Sequence, residues 1–234
     1  MKHFVLIAAG VGLACSSLAQ SGTKVVDTRS NIFGYGVGTP NSGGGGGVLA
    51  PVITLDQGLG RFITFSVTGS GSWGPQWPTT GPDGTQADPL GGQTNTNLTG
   101  VGPISGFVAP RHGQLVGVFI EAGDVSGLSA PATLSYPNTA SLELSNYSPG
   151  LRQVFFIGDG KTGTGSGSTQ IFHIPNGAAK LALGIADGFN FSGSPSYYDD
   201  NEGSYTASYT AVPEPYSLTV VSIGLIALLK RRRS

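Results

Sequence analysis

Side chains that offer oxygen ligands are concentrated in one segment near the end of the chain, residues 183–210. Here Asp187 follows an alternating apolar run, and Asp199, Asp200 and Asn201 precede the next one. Carboxylate and amide oxygens without Cys or His suit Ca²⁺ rather than zinc, although Ca²⁺ needs six or more oxygens, so carbonyls from another loop must contribute. The alternative is an acidic surface loop, because Asp and Asn favour turns and the stretch lacks the EF-hand pattern.

The other residues that could carry out chemistry do not form recognisable motifs. His112 lies in a turn and His173 in an apolar run, without a second His or a carboxylate at ligand spacing. We therefore expect a solvated loop residue and a packed strand residue. A Ser-His-Asp triad stays open, although no G-x-S-x-G motif occurs. Lys161 is not part of a phosphate-binding loop, because Phe155 stands where that motif requires glycine and no helix follows.

The elements that must position these residues are predicted to be short β-strands. Glycine accounts for 39 of 234 residues and proline for 15, so the chain lacks the composition of long helices. Apolar residues recur instead at a period of two. The strand candidates are 48–55, 61–67, 113–120, 152–157, 169–174, 180–187 and 203–210. This pattern predicts an all-β fold, either an antiparallel β-sandwich or a jelly roll.

Composition divides the chain into four parts. We expect a signal peptide at 1–19, an N-terminal segment with a Gly-rich linker at 20–47, a β-domain at 48–210 and a C-terminal tail at 211–234. The linker assignment depends on the stretch NSGGGGGV, whose composition is typical of a flexible connection. Residues 158–169, GDGKTGTGSGST, are predicted to be a loop without structure of their own.

The N-terminal residues are predicted to form a signal helix that directs export. Lys2 precedes an uncharged apolar stretch at 4–14, and SLA at 17–19 fits the small-x-small cleavage rule. A lipid anchor on Cys15 is the alternative, although the residues before it match a lipobox poorly. Cys15 is the only cysteine, so the cleaved protein contains no thiol. Between residues 20 and 215, seven basic residues face thirteen acidic ones, which disfavours nucleic acid as a partner.

Five short motifs occur in the order in which the galactophilic PA-I type lectins carry them. The motifs are SWGP (72–75), GPDG (81–84), GQLVG (113–117), LGIAD (183–187) and DNEGS (200–204). In that family, an aromatic-Gly-Pro loop and a Pro-Asp loop precede a G-x-L-[IV]-G strand. The family domain closes with two strands that end and begin in Asp or Asn. The segment from about residue 27 to 210 therefore resembles these lectins.

The resemblance implies a calcium site that binds sugar hydroxyls directly. Its protein ligands would be the backbone carbonyl of Trp73 and the side chains of Asp187, Asp200 and Asn201. In such lectins the ion also binds two vicinal hydroxyl groups, and Ca²⁺ has the coordination number for this.

Further sugar contacts are implied for the Pro82-Asp83 loop, and an aromatic face from Trp77 or Tyr198 would stack on the pyranose ring. This chain has Gly81 where the family has a sugar-contacting histidine, and its loop between the acidic motifs is longer. The identity of the sugar therefore stays open.

The C-terminal residues resemble a PEP-CTERM sorting tail. The box Val212-Pro213-Glu214-Pro215 is followed by fourteen uncharged residues at 216–229 and then by the basic end Lys230-Arg231-Arg232-Arg233. The apolar run predicts a short transmembrane helix with its cations on the cytoplasmic side. An amphipathic helix packed on the domain is the alternative. The resemblance implies processing by an exosortase-type membrane protease and delivery to the cell surface or matrix of a bacterium that makes exopolysaccharide.

Three functions remain open at this point. The first is an exported, calcium-dependent protein that binds extracellular or surface glycans without catalysis. The second is a structural or adhesive surface protein in which calcium only fastens loops. The third, which we do not favour, is a glycan-cleaving enzyme that uses Asp187 with Asp199 or Asp83 as a carboxylate pair.

Overall fold

The protein is described by a computed structural model that covers residues 19–35, 44–56, 61–89, 91 and 94–213. These residues form an all-β fold, which confirms that part of the predicted fold class. Their strands are β1 (Gln20–Asp27), β2 (Ser30–Asn31), β3 (Val48–Leu49), β4 (Val52–Thr54), β5 (Arg61–Trp73), β6 (Thr96–Leu98), β7 (Phe107–Ala109), β8 (Leu115–Glu121), β9 (Leu134–Ser135), β10 (Asn146–Tyr147), β11 (Val154–Phe156), β12 (Lys161–Gly163), β13 (Ser166–Thr169), β14 (Ile171–Ile174), β15 (Ala178–Ile185), β16 (Ser192–Gly193) and β17 (Asn201–Pro213).

Helical structure in the described residues is limited to single 3-10 turns at Ile32–Gly34, Thr139–Leu142 and Phe189–Phe191. None of these turns has the length and apolar character that crossing a membrane requires. The predicted signal helix and the predicted transmembrane helix lie outside the described residues.

The first large sheet has the order β1-β17-β5-β14-β10. Its centre is the antiparallel ladder of the thirteen-residue strands β5 and β17, which pairs Asn201 with Trp73 at one end. The period-two pattern has the expected effect, because Phe65, Val67 and Ala207 are buried on one face while polar residues lie on the other. The ladder thus fixes the position of Asn201 beside the Trp73 backbone.

The second large sheet has the order β11-β8-β15-β2-β3, with β4 also paired to β15. Strands β8 and β15 are buried along most of their length, so both faces of this sheet are covered. Its core includes stacked rings of Phe119 and Phe155 at 5.0 Å, and Phe155 in turn packs against Phe172 of the first sheet at 5.7 Å. The two sheets therefore share one apolar core.

The sequence predicted purely antiparallel strand pairing, but the structure also contains parallel pairs. Parallel pairs join β10 to β14, β2 to both β15 and β3, β16 to β6, and β7 to β9. Each parallel pair covers only two residues or one. The long ladders remain antiparallel.

The prediction that 158–169 is a loop without structure was wrong. Residues of this stretch form the hairpin β12–β13. The Asp159 carboxylate stabilises its turn by accepting hydrogen bonds from the backbone amides of Lys161, at 2.8 Å, and Gly165, at 2.9 Å. Gly165 has a φ of +66°, which a glycine adopts without strain. Composition indicated a turn here but not the pairing on either side of it.

The N-terminal segment is paired into the first sheet rather than lying beside it. All eight residues of β1 pair with β17, and Val26, Ile32 and Phe33 are fully buried. The described part of the Gly-rich stretch is also fixed in place, because the Gly44 and Gly45 carbonyls accept the backbone amides of the residues just before β17. Its composition resembles a flexible linker, but its backbone packs against the domain.

Candidate functional site

One end of the two sheets forms a small cavity of about 150 Å³. It lies where β5 ends at Trp73, where the chain leaves β15 toward Asp187, and where β17 begins at Asn201. Strand ends are favourable places for a binding site because the sheets hold the residues there in fixed positions. The cavity is lined by Trp73, Trp77, Asp187, Gly188, Phe189, Asn190, Phe191, Tyr197 and Asp200.

The carboxylate of Asp187 is almost completely buried beneath this cavity. One oxygen, Oδ1, accepts the Gly188 amide at 2.7 Å, and Oδ2 accepts the Asn201 side-chain amide at 2.8 Å. Burial raises the pKa of Asp187 well above its usual range, and these two hydrogen bonds only partly oppose that effect. Among the described residues, the two ion pairs are Arg29–Asp27 and Arg152–Glu121, so no basic side chain is paired with Asp187.

Asn201 connects the carboxylate to the neighbouring chain segment. Its Nδ2 donates to Asp187 and also to the Thr28 carbonyl at 3.1 Å, so both of its amide hydrogens are used. Its Oδ1 is buried and has no hydrogen-bond partner in the described part of the chain. An unsatisfied buried acceptor costs about 1–3 kcal/mol. The site therefore contains a free oxygen next to a carboxylate that lacks a positive partner.

Asp200 brings a second carboxylate to the same cavity. Its Oδ2 lies 3.0 Å from the position that a Cβ on Gly74 would occupy, and Gly74 has a φ of +113°, so this close approach favours glycine. Burial, and then the charge of Asp199, raises the pKa of Asp200. The structure thus brings together the four groups that the resemblance assigned to calcium: the Trp73 backbone and the side chains of Asp187, Asp200 and Asn201.

An aromatic cluster forms the wall beside these oxygens. Phe191 is buried and packs edge-on against Trp73 at 6.2 Å and Trp77 at 5.5 Å. Trp77 is half-buried and lines the cavity, as a residue that contacts ligand must. Such edge-on ring pairs are favourable beyond their buried area and hold the wall rigid.

His112 was expected to be solvated but is fully buried in this wall. Its ring stacks on Phe191 at 4.6 Å and meets Trp77 edge-on at 4.9 Å. Neither ring nitrogen has a close hydrogen-bond partner among the described residues. Burial lowers the pKa of His112 to about 4, while the charge of Asp88 and a backbone contact with Ala87 oppose the change. No local sequence pattern indicated this burial, because the residue sits in a turn.

Tyr198 cannot stack on a ligand as the resemblance implied. It is completely buried, and its hydroxyl donates to the Ile185 carbonyl at 2.9 Å and accepts the Asp187 amide at 3.1 Å. It therefore positions the backbone that carries Asp187. Its neighbour Tyr197, which the sequence did not single out, is 37% exposed and lines the cavity.

The Pro82-Asp83 loop also lies elsewhere than implied, because neither residue lines the cavity. Asp83 is buried, and its Oδ1 accepts the Asp159 amide at 2.9 Å, which ties the loop to the β12–β13 hairpin. The Pro82 carbonyl accepts the Leu115 amide at 2.9 Å. Gly81, which replaces the family histidine, has open space around the position of a Cβ.

Cavity residues that the sequence did not single out belong to the loop between Asp187 and Asp200. They are Gly188, Phe189, Asn190, Phe191 and Tyr197. The sequence feature that could have indicated these residues is their position between Asp187 and Asp200, two proposed calcium ligands. Of the sorting motif, Val212 and Pro213 end β17, whereas Glu214, Pro215, Lys230, Arg231, Arg232 and Arg233 lie outside the described residues.

Within the described chain, no group of three or more His, Cys, Asp or Glu side chains is placed to hold a metal. The donors gathered here are instead two carboxylates, one amide oxygen and backbone. No model of a known family matches the chain, and no curated protein or solved structure matches it.

Asp83 leads to a prediction about pH and stability. Burial raises its pKa to about 6, whereas an Asp in the unfolded chain titrates near about 4. Between these values the folded state binds the extra proton, so this contribution to stability is greatest at low pH and falls as pH rises toward 6. We expect Asp83→Asn to stabilise the protein relative to wild type by about 2 kcal/mol more at about pH 7.5 than at about pH 4.

Urea unfolding of both proteins across this range measures the difference. His112 contributes a dependence of opposite sign, because its lowered pKa makes the folded state lose stability as pH falls below about 6.5. That contribution is common to both proteins and cancels in the comparison. A stability difference that does not change with pH would contradict the raised pKa of Asp83.

Proposed function

We propose that this protein is a calcium-dependent carbohydrate-binding protein. The observation that supports this most is the buried carboxylate of Asp187, which shares an aromatic-walled cavity with Asp200 and accepts a hydrogen bond from the side chain of Asn201. The Oδ1 of Asn201 has no hydrogen-bond partner among the described residues. Within the described part of the chain, the carboxylates lack a positive partner and the amide oxygen lacks a donor. A hard cation would supply both, because it neutralises the carboxylates and coordinates the amide oxygen.

The donors fit Ca²⁺ better than other metals. All are oxygens, from Asp187, Asp200, Asn201 and the Trp73 carbonyl, and no His or Cys side chain is among them. When bound, the ion would supply open coordination positions that vicinal hydroxyl groups of a sugar can take. Trp77 would then offer an aromatic surface to the apolar face of the ring, as the likeness to PA-I type lectins implies.

Binding without catalysis is the function that we favour. Asp83 is buried against the Asp159 backbone and does not line the cavity, so it is not placed to act with Asp187 as a carboxylate pair there. The competing proposal is a structural or adhesive protein in which calcium only fastens loops. It is favoured by Asn201, which already ties the Thr28 segment to the end of β15.

The cellular context that we propose comes from the sequence. The chain would be exported by its signal peptide, held transiently in the inner membrane by its PEP-CTERM tail and released to the bacterial surface or matrix by an exosortase-type protease. The two large sheets share one core, which supports a β-sandwich for the lectin-like domain at 48–210, with β1 paired onto it.

Calcium binding predicts that Asp187→Asn removes the response of stability to the metal. The substitution removes a buried charge, but it also turns one of the two accepting oxygens into an NH2 group that faces the donor of Gly188 or Asn201. These two effects oppose each other in chelator, so the calcium response is the quantity that decides. In wild type, calcium at 100 times its dissociation constant should add about 2.7 kcal/mol of stability, and the variant should lose this gain. Thermal unfolding with titrated calcium measures this response.

Asp124→Asn is the matched control, because Asp124 is exposed and lies outside the cavity. It should keep the full calcium response. Equal calcium stabilisation of wild type and Asp187→Asn would remove this site from the proposal.

Sugar binding is tested by a glycan array probed with the fragment 20–215, once with calcium and once with chelator. We expect binding to a restricted set of glycans that chelator abolishes, since the ion would contact the sugar directly. Calcium stabilisation without binding to any glycan would favour the structural alternative and contradict the lectin-like function.

The sorting tail predicts a processing defect. Replacing Pro213, Glu214 and Pro215 together by alanine in a bacterium with the sorting protease should leave uncleaved chain in the membrane fraction, because the protease would lose its recognition box. Immunoblots of membrane and extracellular fractions measure this. Equal release of wild type and variant would show that the box does not direct processing.

A further inference from the structure

The loop between Asp187 and Asp200 has an unusual backbone. Among the described residues, positive φ occurs in four that are not glycine, and three of them are Asn190 at +51°, Phe191 at +51° and Tyr197 at +64°. Asn tolerates this region, but Phe and Tyr rarely adopt it. Strained conformations persist where surrounding contacts enforce them, and they cluster at sites that bind ligands.

Several contacts hold this loop in its strained form. The Phe189 amide donates to Ser196 Oγ at 3.1 Å, and the Ser196 amide donates to the Asp187 carbonyl at 3.2 Å. The middle of the loop, β16, pairs with β6. Phe191 is buried in the aromatic wall described above. Hydrogen bonds, strand pairing and the burial of Phe191 therefore hold the loop against the domain.

The result is an aromatic pair that faces solvent at the rim of the cavity. Phe189 is 59% exposed and Tyr197 is 37% exposed, and their rings lie 5.1 Å apart at 42°. Both residues line the cavity that contains Asp187 and Asp200. The exposed part of each ring gains no burial energy in the free protein, whereas the neighbouring Phe191 is buried. A rigid, exposed aromatic pair beside a polar cavity is typical of a surface that contacts ligand.

The cavity is too small to enclose a whole ligand, so a ligand bound there must also contact the surface around it. Its volume is about 150 Å³, whereas pockets that enclose a whole ligand usually span about 300–1,000 Å³. A ligand held by the oxygens of Asp187 and Asp200 must therefore extend over the rim. Phe189 and Tyr197 form part of that rim.

We propose that Phe189 and Tyr197 form a second sugar subsite, so that the protein recognises at least a disaccharide rather than a single sugar ring. This inference rests on the carbohydrate-binding function proposed above. An oligosaccharide suits the surface because each ring carries hydroxyl groups for the polar cavity and an apolar C–H face for the aromatic pair. The first ring lies at the oxygens, and the next ring packs on Phe189 and Tyr197.

Calorimetry at saturating calcium tests the subsite with methyl glycosides of galactose, glucose and mannose and with the matching disaccharides and trisaccharides. In wild type, we expect at least one series in which the oligosaccharide binds about tenfold more tightly than the methyl glycoside. Phe189→Ala should weaken binding of the oligosaccharide more than binding of the methyl glycoside, so that most of this advantage is lost. Tyr197→Asn should act in the same direction, because Asn keeps the positive φ without the ring.

Two controls separate a lost ring from a disturbed fold. Phe189→Tyr keeps an aromatic ring and should retain the advantage of the oligosaccharide. Leu128→Ala removes a large exposed side chain that does not line the cavity and should change nothing. Calcium-induced thermal stabilisation, measured on every variant, reports whether the cation site is intact.

Each outcome of this experiment decides one question. Equal affinity for monosaccharide and oligosaccharide in wild type would overturn the subsite and leave the carbohydrate-binding function standing. Equal losses for both ligands in Phe189→Ala would also overturn it. If wild type still responds to calcium but binds no saccharide of this panel or of the glycan array, the carbohydrate-binding function is rejected, and the subsite with it.

Discussion

The arrangement of the site depends on how one buried carboxylate is accommodated. Asp187 emerges from a central strand into an almost solvent-free position, where the Gly188 amide and the Asn201 side chain each hold one oxygen. Removing a carboxylate from water costs several kcal/mol unless charge is supplied nearby. Because Asn201 also holds the Thr28 backbone, the electrostatics of this carboxylate and the packing of three chain segments are coupled.

Glycine makes the close packing of the segments around the site sterically possible. A Cβ at Gly45 would overlap the Asp199 carboxylate, and a Cβ at Gly113 would overlap the Trp73 ring. Both glycines have positive φ, at +88° and +71°. In the sequence such residues indicate flexible loops, yet here they allow backbone and side chains to approach more closely than any other residue permits. The missing Cβ that makes the unfolded chain flexible is therefore the same feature that permits close packing at the site.

The cavity combines two kinds of surface that have different physical origins. Its floor consists of oxygens at strand ends: Asp187 follows β15, Asp200 precedes β17, and the ladder of β5 and β17 sets Asn201 opposite Trp73. Its rim consists of a loop whose backbone is held in a strained form by side-chain hydrogen bonds and by the buried ring of Phe191. The floor suits a hard cation, and the rim suits an apolar surface. A carbohydrate carries hydroxyl groups, which bind a cation, and apolar C–H faces, which pack on aromatic rings. The proposed function and the proposed subsite therefore agree.

The sequence by itself determined several of the longer strands and the candidate oxygen donors. Alternation of apolar residues is a local property, so 61–67, 180–187 and 203–210 could be recognised as strands, and donors at strand ends could be expected to meet. The tertiary structure decided the rest. It buried Tyr198 and exposed its neighbour Tyr197, turned Asp83 toward Asp159, and enclosed His112 among aromatic rings. The direction of a loop side chain follows from backbone dihedrals that distant contacts enforce, and no local pattern encodes those contacts.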